Sequence, residues 1–485
     1  MNIQFHWSYL FVAFLVFEWI LRVVMLFVVP RNRKPSSATA WLMLIMLEPV
    51  VGTVIFATFG SPRLPKYRRE LQKTADARIA QEIQNLSNKD SSAIMDTNEL
   101  TVLEEQFVKL NHALGGLPIF GGNKVRFLDN YEKTIELLIK DINAAESRIL
   151  FEYFIIVMDD TSEPILAALE RAKQRGVEVY VLFDAHACMR YPNFKSLKKR
   201  LTHAGIQWRA MLTFSLRPGR EFTRPDLRNH RKIVVIDGVV GYTGSQNIVT
   251  KNYHRKDDLY YEELVARVQG PAVWQLSAIF RTDWYAETRK FLMVDKLPAV
   301  AGTVRAQLLP SGPSYRESSN LKLYTALMHG ARNKIVIVTP YFVPDDALMT
   351  ALTSAAQRGV EVTIINSEVI DKVLVGHAQR SYYEELLLAG VRIFLYKKPV
   401  FLHTKHMTID DRIAVVGSSN IDIRSFELDL EVSLVLYDKK SVADLRTIEK
   451  RYIQNSSQIN LKKWLKRPLR LKSLDSVARL TAALQ

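Results

Sequence analysis

The chain has 485 residues, 48% hydrophobic and 24% charged, with a formal net charge of +16. The composition excludes a disordered polymer, the length excludes one ordinary domain, and the charge asks for an anionic partner, either nucleic acid or anionic lipid. A single cysteine, Cys188, excludes an internal disulfide and a Cys-rich zinc site, and a buried small residue is its plain reading.

From Trp7 to Val29 the chain is almost continuously apolar, and a second such run goes from Ala38 to Phe59. Each exceeds the roughly 20 residues needed to cross a bilayer. Pro30 and the polar segment Arg31 to Ser37 leave room only for a turn. Residues 1–60 therefore predict a two-helix transmembrane hairpin, with two buried helices of a soluble core as the weaker alternative. A cleaved signal peptide fits poorly, because no positive charge precedes the first run. Glu18 and Arg22 are spaced to pair on one helix face. Glu48, next to Pro49, has no such partner, and nothing catalytic in type surrounds it. Arg31, Arg33 and Lys34 in the turn compete with Arg63, Lys66, Arg68, Arg69 and Lys73 beyond the second run. The larger set leans slightly towards a cytoplasmic body.

Residues 61–123 are charged and weakly periodic, with Gly115, Gly116, Gly121 and Gly122 at the end, and read as a helical connector. Alternating helices and strands follow: Glu132 to Ala145 helix, Arg148 to Ile156 strand, Glu163 to Gln174 helix, Val177 to Phe183 strand. The order then returns, with Leu321 to Ala331 helix, Lys334 to Val338 strand, Ala347 to Gln357 helix and Val360 to Ile365 strand. The run Gln174-Arg175-Gly176-Val177-Glu178-Val179 recurs unchanged from Gln357 to Val362, a helix ending at a Gly cap before a core strand. This predicts a duplicated α/β body, residues 124–300 and 301–460, ahead of a tail at 461–485.

Each half carries one cluster of chemistry-bearing residues. The first has His230, Lys232 and Asp237, then Gly244-Ser245-Gln246-Asn247. The second has His403, Lys405 and Asp410, then Gly417-Ser418-Ser419-Asn420. Alternation puts His and Lys on one face of a strand. An imidazole is a nucleophile near neutral pH and an acid when protonated, and a lysine supplies the cation that phosphate oxygens need. Ser245, Asn247, Ser418 and Asn420 add hydrogen bonds without charge. A catalytic histidine also needs an acceptor on its other ring nitrogen. Glu263 and Glu431, at similar distances after His230 and His403, are the candidates, each for the histidine of its own half. One His-x-Lys pair is more often a packing feature, but two, each with the same Asp and Gly-Ser-x-Asn spacing, are hard to assign to chance. A metal site is the weaker rival: His406 lies near His403, yet Ile233 holds the matching place in the first copy.

The paired His-x-Lys-x4-Asp elements with Gly-Ser-x-Asn resemble the phospholipase D superfamily. The two N-terminal runs, Pro340-Tyr341-Phe342-Val343-Pro344, Arg424-Ser425, Gly270-Pro271 and Trp464 to Pro468 are similar to bacterial cardiolipin synthases of the long, two-span type. The resemblance covers nearly the whole chain. It implies duplicated phospholipase D-like αβ sandwich halves with mixed sheets, and an enzyme at the bacterial inner membrane. It implies phosphatidyl transfer between two phosphatidylglycerol molecules, giving cardiolipin and glycerol through a phosphohistidine, with no cofactor and no metal. By resemblance His230 is the nucleophile and His403 the general acid, then base; the residues themselves leave that assignment open. Lys232, Lys405, Asn247 and Asn420 would hold the phosphate, and Asp237 and Asp410 would support. Asp429 departs from the family's usual Asn, and Glu48 from an uncharged span.

Phe401, Leu402, Tyr341 and Phe342 read either as an acyl-chain entrance or as core. Leu461, Trp464, Leu465 and Leu469 among Lys462, Lys463, Lys466, Arg467 and Arg470 read either as a surface for anionic lipid or as a segment docked on the body. A nuclease would suit the charge but has little use for membrane spans, so lipid rather than nucleic acid is the expected partner. A phospholipase D, a phosphatidyltransferase with another acceptor alcohol and an inactive lipid-binding scaffold are the rivals. A homo-oligomer is left open.

Overall fold

The computed structural model describes residues 3–31, 33–89, 100–213, 223–253, 259–315 and 317–480. The chain divides into two compact units, Met1–Leu64 and Pro65–Gln485.

In the first unit the helix Ile3–Val28 contains Tyr9–Val28, the one helix among the described residues that is long and apolar enough to cross a membrane. The expected second span is not one helix. It is two, Pro35–Leu47 and Pro49–Phe59, of 13 and 11 residues. Pro49 has no N–H to continue the ladder and disfavours helical backbone at the residue before it. Glu48 accordingly sits at φ −131°, ψ 84°. Glu18 and Arg22 do pair, at 3.6 Å.

In the second unit, the segment expected to be a connector is built into the body. Helices Lys66–Lys89 and Val102–Gly115 are tied down by Arg68–Glu287 at 2.7 Å, Arg281–Glu82 at 2.9 Å and Arg412–Glu104 at 2.6 Å. Thr101 and Glu104 close a reciprocal capping box on the second helix. Gly121 and Gly122 lie inside the strand Phe120–Leu128 rather than before it. Residues 90–99 of the expected connector and 481–485 of the expected tail lie outside the described residues.

Among the described residues the core of the body is one mixed sheet of sixteen strands. Its centre is the antiparallel pair Phe120–Leu128 and Val304–Ser311. Outward from Phe120–Leu128 come Val265–Gln269, Val240–Gly244, Ile233–Ile236, Arg148–Tyr153, Glu178–Asp184 and Gln207–Met211. Outward from Val304–Ser311 come Asp429–Tyr437, Ile413–Gly417, His406–Ile409, Lys334–Val338, Glu361–Ser367 and Arg392–Tyr396, with Ser456–Gln458 at the edge. The sequence of partners is the same on both sides. In each, three neighbouring strands run parallel and the others along this path antiparallel. Helices Tyr131–Asn143 and Glu163–Gln174 bury Ile135, Leu138, Leu166 and Leu169 on the first side, and Ser319–Gly330 and Asp346–Gln357 bury Leu323, Leu327, Leu348 and Leu352 on the second. The alternation of apolar strands and amphipathic helices dictates this layering.

Candidate active site

Two very short parallel pairings across the centre of the sheet assemble the site. Arg228–Asn229 lies beside the start of Asp429–Tyr437, and Tyr260–Glu262 beside Val400–Leu402. The His230 N–H donates to the Leu430 carbonyl at 2.9 Å, and the His403 N–H to the Glu262 carbonyl at 2.8 Å. His230 is thereby stitched to the strand that carries Glu431, and His403 to the strand that ends one residue before Glu263. His230 Nδ1 lies 2.9 Å from Glu431 Oε1, and His403 Nδ1 lies 2.8 Å from Glu263 Oε1. The expected pairing within each half is therefore corrected to a reciprocal exchange. In both rings a Nδ1–H donating to carboxylate leaves Nε2 for chemistry.

His230 and His403 line one cavity of about 460 Å³ with Asn247, Asn420 and Tyr261. The His-x-Lys triplets lie between strands rather than within one. Lys232 Nζ and Lys405 Nζ each donate to the carbonyl of their own histidine at 2.7 Å. Phe154 packs edge-on against the His230 ring at 4.8 Å, and Tyr261 against His403 at 5.4 Å.

The remaining expected residues divide into two groups. Asn247 and Asn420 line the cavity, and each has a buried Oδ1 without a hydrogen-bond partner. Ser245 and Ser418 turn to the glutamates instead of the cavity. Ser418 donates to Glu431 and accepts the Val432 N–H at 3.0 Å, while Ser245 accepts the Leu264 N–H at 2.9 Å and bonds Glu263. The glycines before them are needed for close approach. A Cβ at Gly244 would lie 2.3 Å from the Leu264 carbonyl oxygen, and one at Gly417 would lie 2.2 Å from that of Val432.

Asp237 and Asp410 are not brought to the cavity. They sit at the far ends of their strands with φ of 55° and 48°. Asp237 accepts the N–H groups of Glu146, Ser147 and Arg148, and Asp410 those of Arg332, Asn333 and Lys334. Asp suits both demands, since it tolerates a left-handed backbone and its carboxylate satisfies a turn.

Electrostatics separate the two copies. Burial pushes His403 down to about 4, opposed by Glu263. Burial, reinforced by Lys232 and Lys405, holds His230 well below its ordinary value. Burial lowers Lys232 to about 8 and Lys405 to about 7, against the pull of both glutamates. For Glu263 burial acts upward, yet His403 and Lys405 outweigh it and the carboxyl is lowered; for Glu431 burial prevails over Lys232 and the carboxyl is raised.

Arg424 and Asp429, both singled out in the sequence, line the cavity, and His186, Arg190, Asp226, Arg228, Asp371 and Lys372, which the motifs did not reveal, complete its polar wall. Burial raises Asp429 to about 7 despite Arg424, whose Nε is 3.3 Å away. His186 and Arg190 follow the strand Glu178–Asp184 and Asp371 and Lys372 follow its repeat Glu361–Ser367. The carboxyl ends of parallel strands were thus the available signal.

A family model described as cardiolipin synthase, PLD-like domain, matches residues 138–284 and 324–452. Cardiolipin synthase A of Pectobacterium carotovorum subsp. carotovorum (strain PC1) is 33% identical over 461 residues, covering 93% of both chains. The chain belongs to the cardiolipin synthase family. A second family member, cardiolipin synthase of Alkalihalophilus pseudofirmus, is 32% identical over 94% of this chain and 90% of its own. Among solved structures, the phosphatidylserine synthase of Haemophilus influenzae Rd KW20 shares the fold, with a TM-score of 0.58 and 15% identity over 80% of this chain and 100% of that one. As a member of the cardiolipin synthase family the chain is an enzyme of the phospholipase D superfamily, and its apolar N-terminal helix fits an association with membrane.

Proposed function

We propose that this chain joins two phosphatidylglycerol molecules into cardiolipin and glycerol through a covalent phosphohistidine, at the bacterial inner membrane with its body cytoplasmic. The observation that carries the reading is the pair of imidazoles in one cavity, each held at Nδ1 by the other half's glutamate and each followed by a buried lysine.

His230 Nε2 attacks phosphorus and the bond from phosphorus to the glycerol oxygen breaks, while His403 gives that oxygen its proton. A second phosphatidylglycerol then enters. His403 takes the proton from its glycerol hydroxyl, the oxygen attacks phosphorus, and the bond to His230 breaks. Glu263, kept ionised, opposes the burial that lowers His403 and so eases its protonation in the step, and the cations around His230 favour a neutral nucleophile. Lys232, Lys405, Asn247 and Asn420 meet the phosphate oxygens, where charge develops. The halves at 124–300 and 301–460 thus each supply one histidine.

The lipid setting has its own support. Val373 and Leu374 are exposed beside Asp371, Lys372 and Val375, which line the cavity. The tail is docked in part and exposed in part. Trp464 packs on Tyr383 at 5.4 Å and Arg467 pairs with Asp475 at 2.9 Å, while Leu469, Leu474, Val477 and Leu480 face outward.

The test is full-length protein in detergent with labelled phosphatidylglycerol, with and without phosphatidylethanolamine and chelator. Cardiolipin and an acid-labile, alkali-stable labelled protein are expected, both lost in His230→Ala. Phosphatidic acid as sole product would replace the synthase with a hydrolase. Activity surviving His230→Ala or His403→Ala would overturn the two-histidine mechanism.

A further inference from the structure

We infer that the second apolar run does not cross the membrane: residues 35–59 form a re-entrant hairpin that enters one leaflet and returns to the face it left. The chain then has a single full crossing, with its N-terminus and its body on opposite faces.

Contacts nested about Glu48 and Pro49 define the fold-back. Arg33 donates to the Gly60 carbonyl, and its guanidinium lies 4.6 Å over the Phe56 ring. The rings of Trp41 and Phe56 are 5.5 Å apart, edge to face. Nearest the tip, a Cβ on Gly52 would lie 2.9 Å from Ile45 Cα, so only glycine allows this approach. In one continuous helix Trp41 and Phe56 would be about 22 Å apart along the axis. At 13 and 11 residues the two helices reach about 20 and 16 Å, short of the roughly 30 Å hydrocarbon core.

The first helix measures the depth. Arg22 Nε donates at 3.2 Å to the carbonyl of Met46, one of the last carbonyls of its helix and so without an intrahelical partner. Arg22 is about 9 Å along the axis from Val28. The hairpin tip therefore ends in the near leaflet, level with the Glu18–Arg22 pair. Packing agrees, because Met25 and Val29 are buried with Ala38 and Ile45, while only 6% of the apolar window in Tyr9–Val28 is buried. The outward residues Met43, Leu47, Val51 and Val54 are exposed and apolar, which commits them to acyl chains.

Charge supports the same topology. In a two-span hairpin Arg31, Arg33 and Lys34 would oppose Arg63, Lys66, Arg68, Arg69 and Lys73 across the membrane. In the re-entrant form all of them share one face.

The test uses the full chain in spheroplasts and in inside-out vesicles, with an N-terminal tag and a cysteine introduced by Ser36→Cys or Ser61→Cys. Both positions are exposed, and the buried Cys188 serves as background, checked in the unsubstituted chain. Cardiolipin formation by each variant reports its folding separately. An impermeant maleimide should label both cysteines from the same face, at least tenfold more than from the other, with the tag on the opposite face. Labelling of the two cysteines from opposite faces overturns the hairpin. A tag on the same face as both cysteines overturns the single crossing.

Discussion

Glu263 and Glu431 are both buried, yet burial raises Glu431 while His403 and Lys405 lower Glu263, so the two histidines face carboxylates in unequal surroundings. Exchanging either for glutamine keeps the shape and removes the anion. Each change should cut kcat by about 10²–10⁴-fold, the usual weight of an oriented acid or base. The two should separate with a phosphatidyl p-nitrophenol substrate, whose leaving group needs no proton. Glu263→Gln should recover much of its first step there, and Glu431→Gln should not. Equal loss on both substrates would reverse or merge the assigned roles. The lysines carry a second prediction. With Lys405 at about 7 and Lys232 at about 8, their charge is lost as pH rises through this range, so kcat/KM should fall on that limb. Stability runs the other way, because both folded values lie below the unfolded one. It declines as pH falls from about 10.5 towards those values and is flat beneath them. Lys405→Met should therefore raise stability at pH 7 by about 1–3 kcal/mol, read as Tm, while abolishing activity. The identity of these residues was legible in the sequence, since residue type and spacing carry the chemistry. Their partners were not. Glu263 and Glu431 follow their own histidines at similar distances, and local spacing cannot say which carboxylate crosses the sheet.

At the scale of elements, Asp237 and Asp410 show how a motif residue can serve the frame instead of the reaction. Each ties the turn between a helix and a buried strand to the end of the hairpin behind its histidine. Asp410→Ala should lower stability by about 1–3 kcal/mol in a denaturant titration, the usual consequence of unsatisfied backbone donors. Its effect on kcat should be far smaller than that of His403→Ala. The helix Val373–Leu388 makes a different prediction. Replacing Val373 and Leu374 with aspartate should raise KM on anionic vesicles and leave turnover of a monomeric short-chain substrate unchanged. Helices and strands were mostly legible from periodicity, including the identical Glu163–Gln174 and Lys334–Val338. The helical character of residues 61–123 was legible, but their anchoring was not, because Glu287, Arg281 and Arg412 lie hundreds of residues away.

For the whole molecule, the formal charge of +16 predicts vesicle association that weakens as salt rises. Sedimentation with anionic and zwitterionic vesicles checks it, and indifference to salt would remove charge from the account. The repeat was visible in the sequence, but its geometric purpose was not. A polypeptide carrying only one half would own a histidine and a glutamate that cannot meet, because each is aimed across the sheet's midline. Two such polypeptides, related by a twofold axis, would complete each other. Linking them in one chain converts a concentration-dependent encounter into a permanent one. It also frees the surroundings of the two imidazoles to diverge, whereas in an exactly symmetric pair they stay identical until a substrate binds.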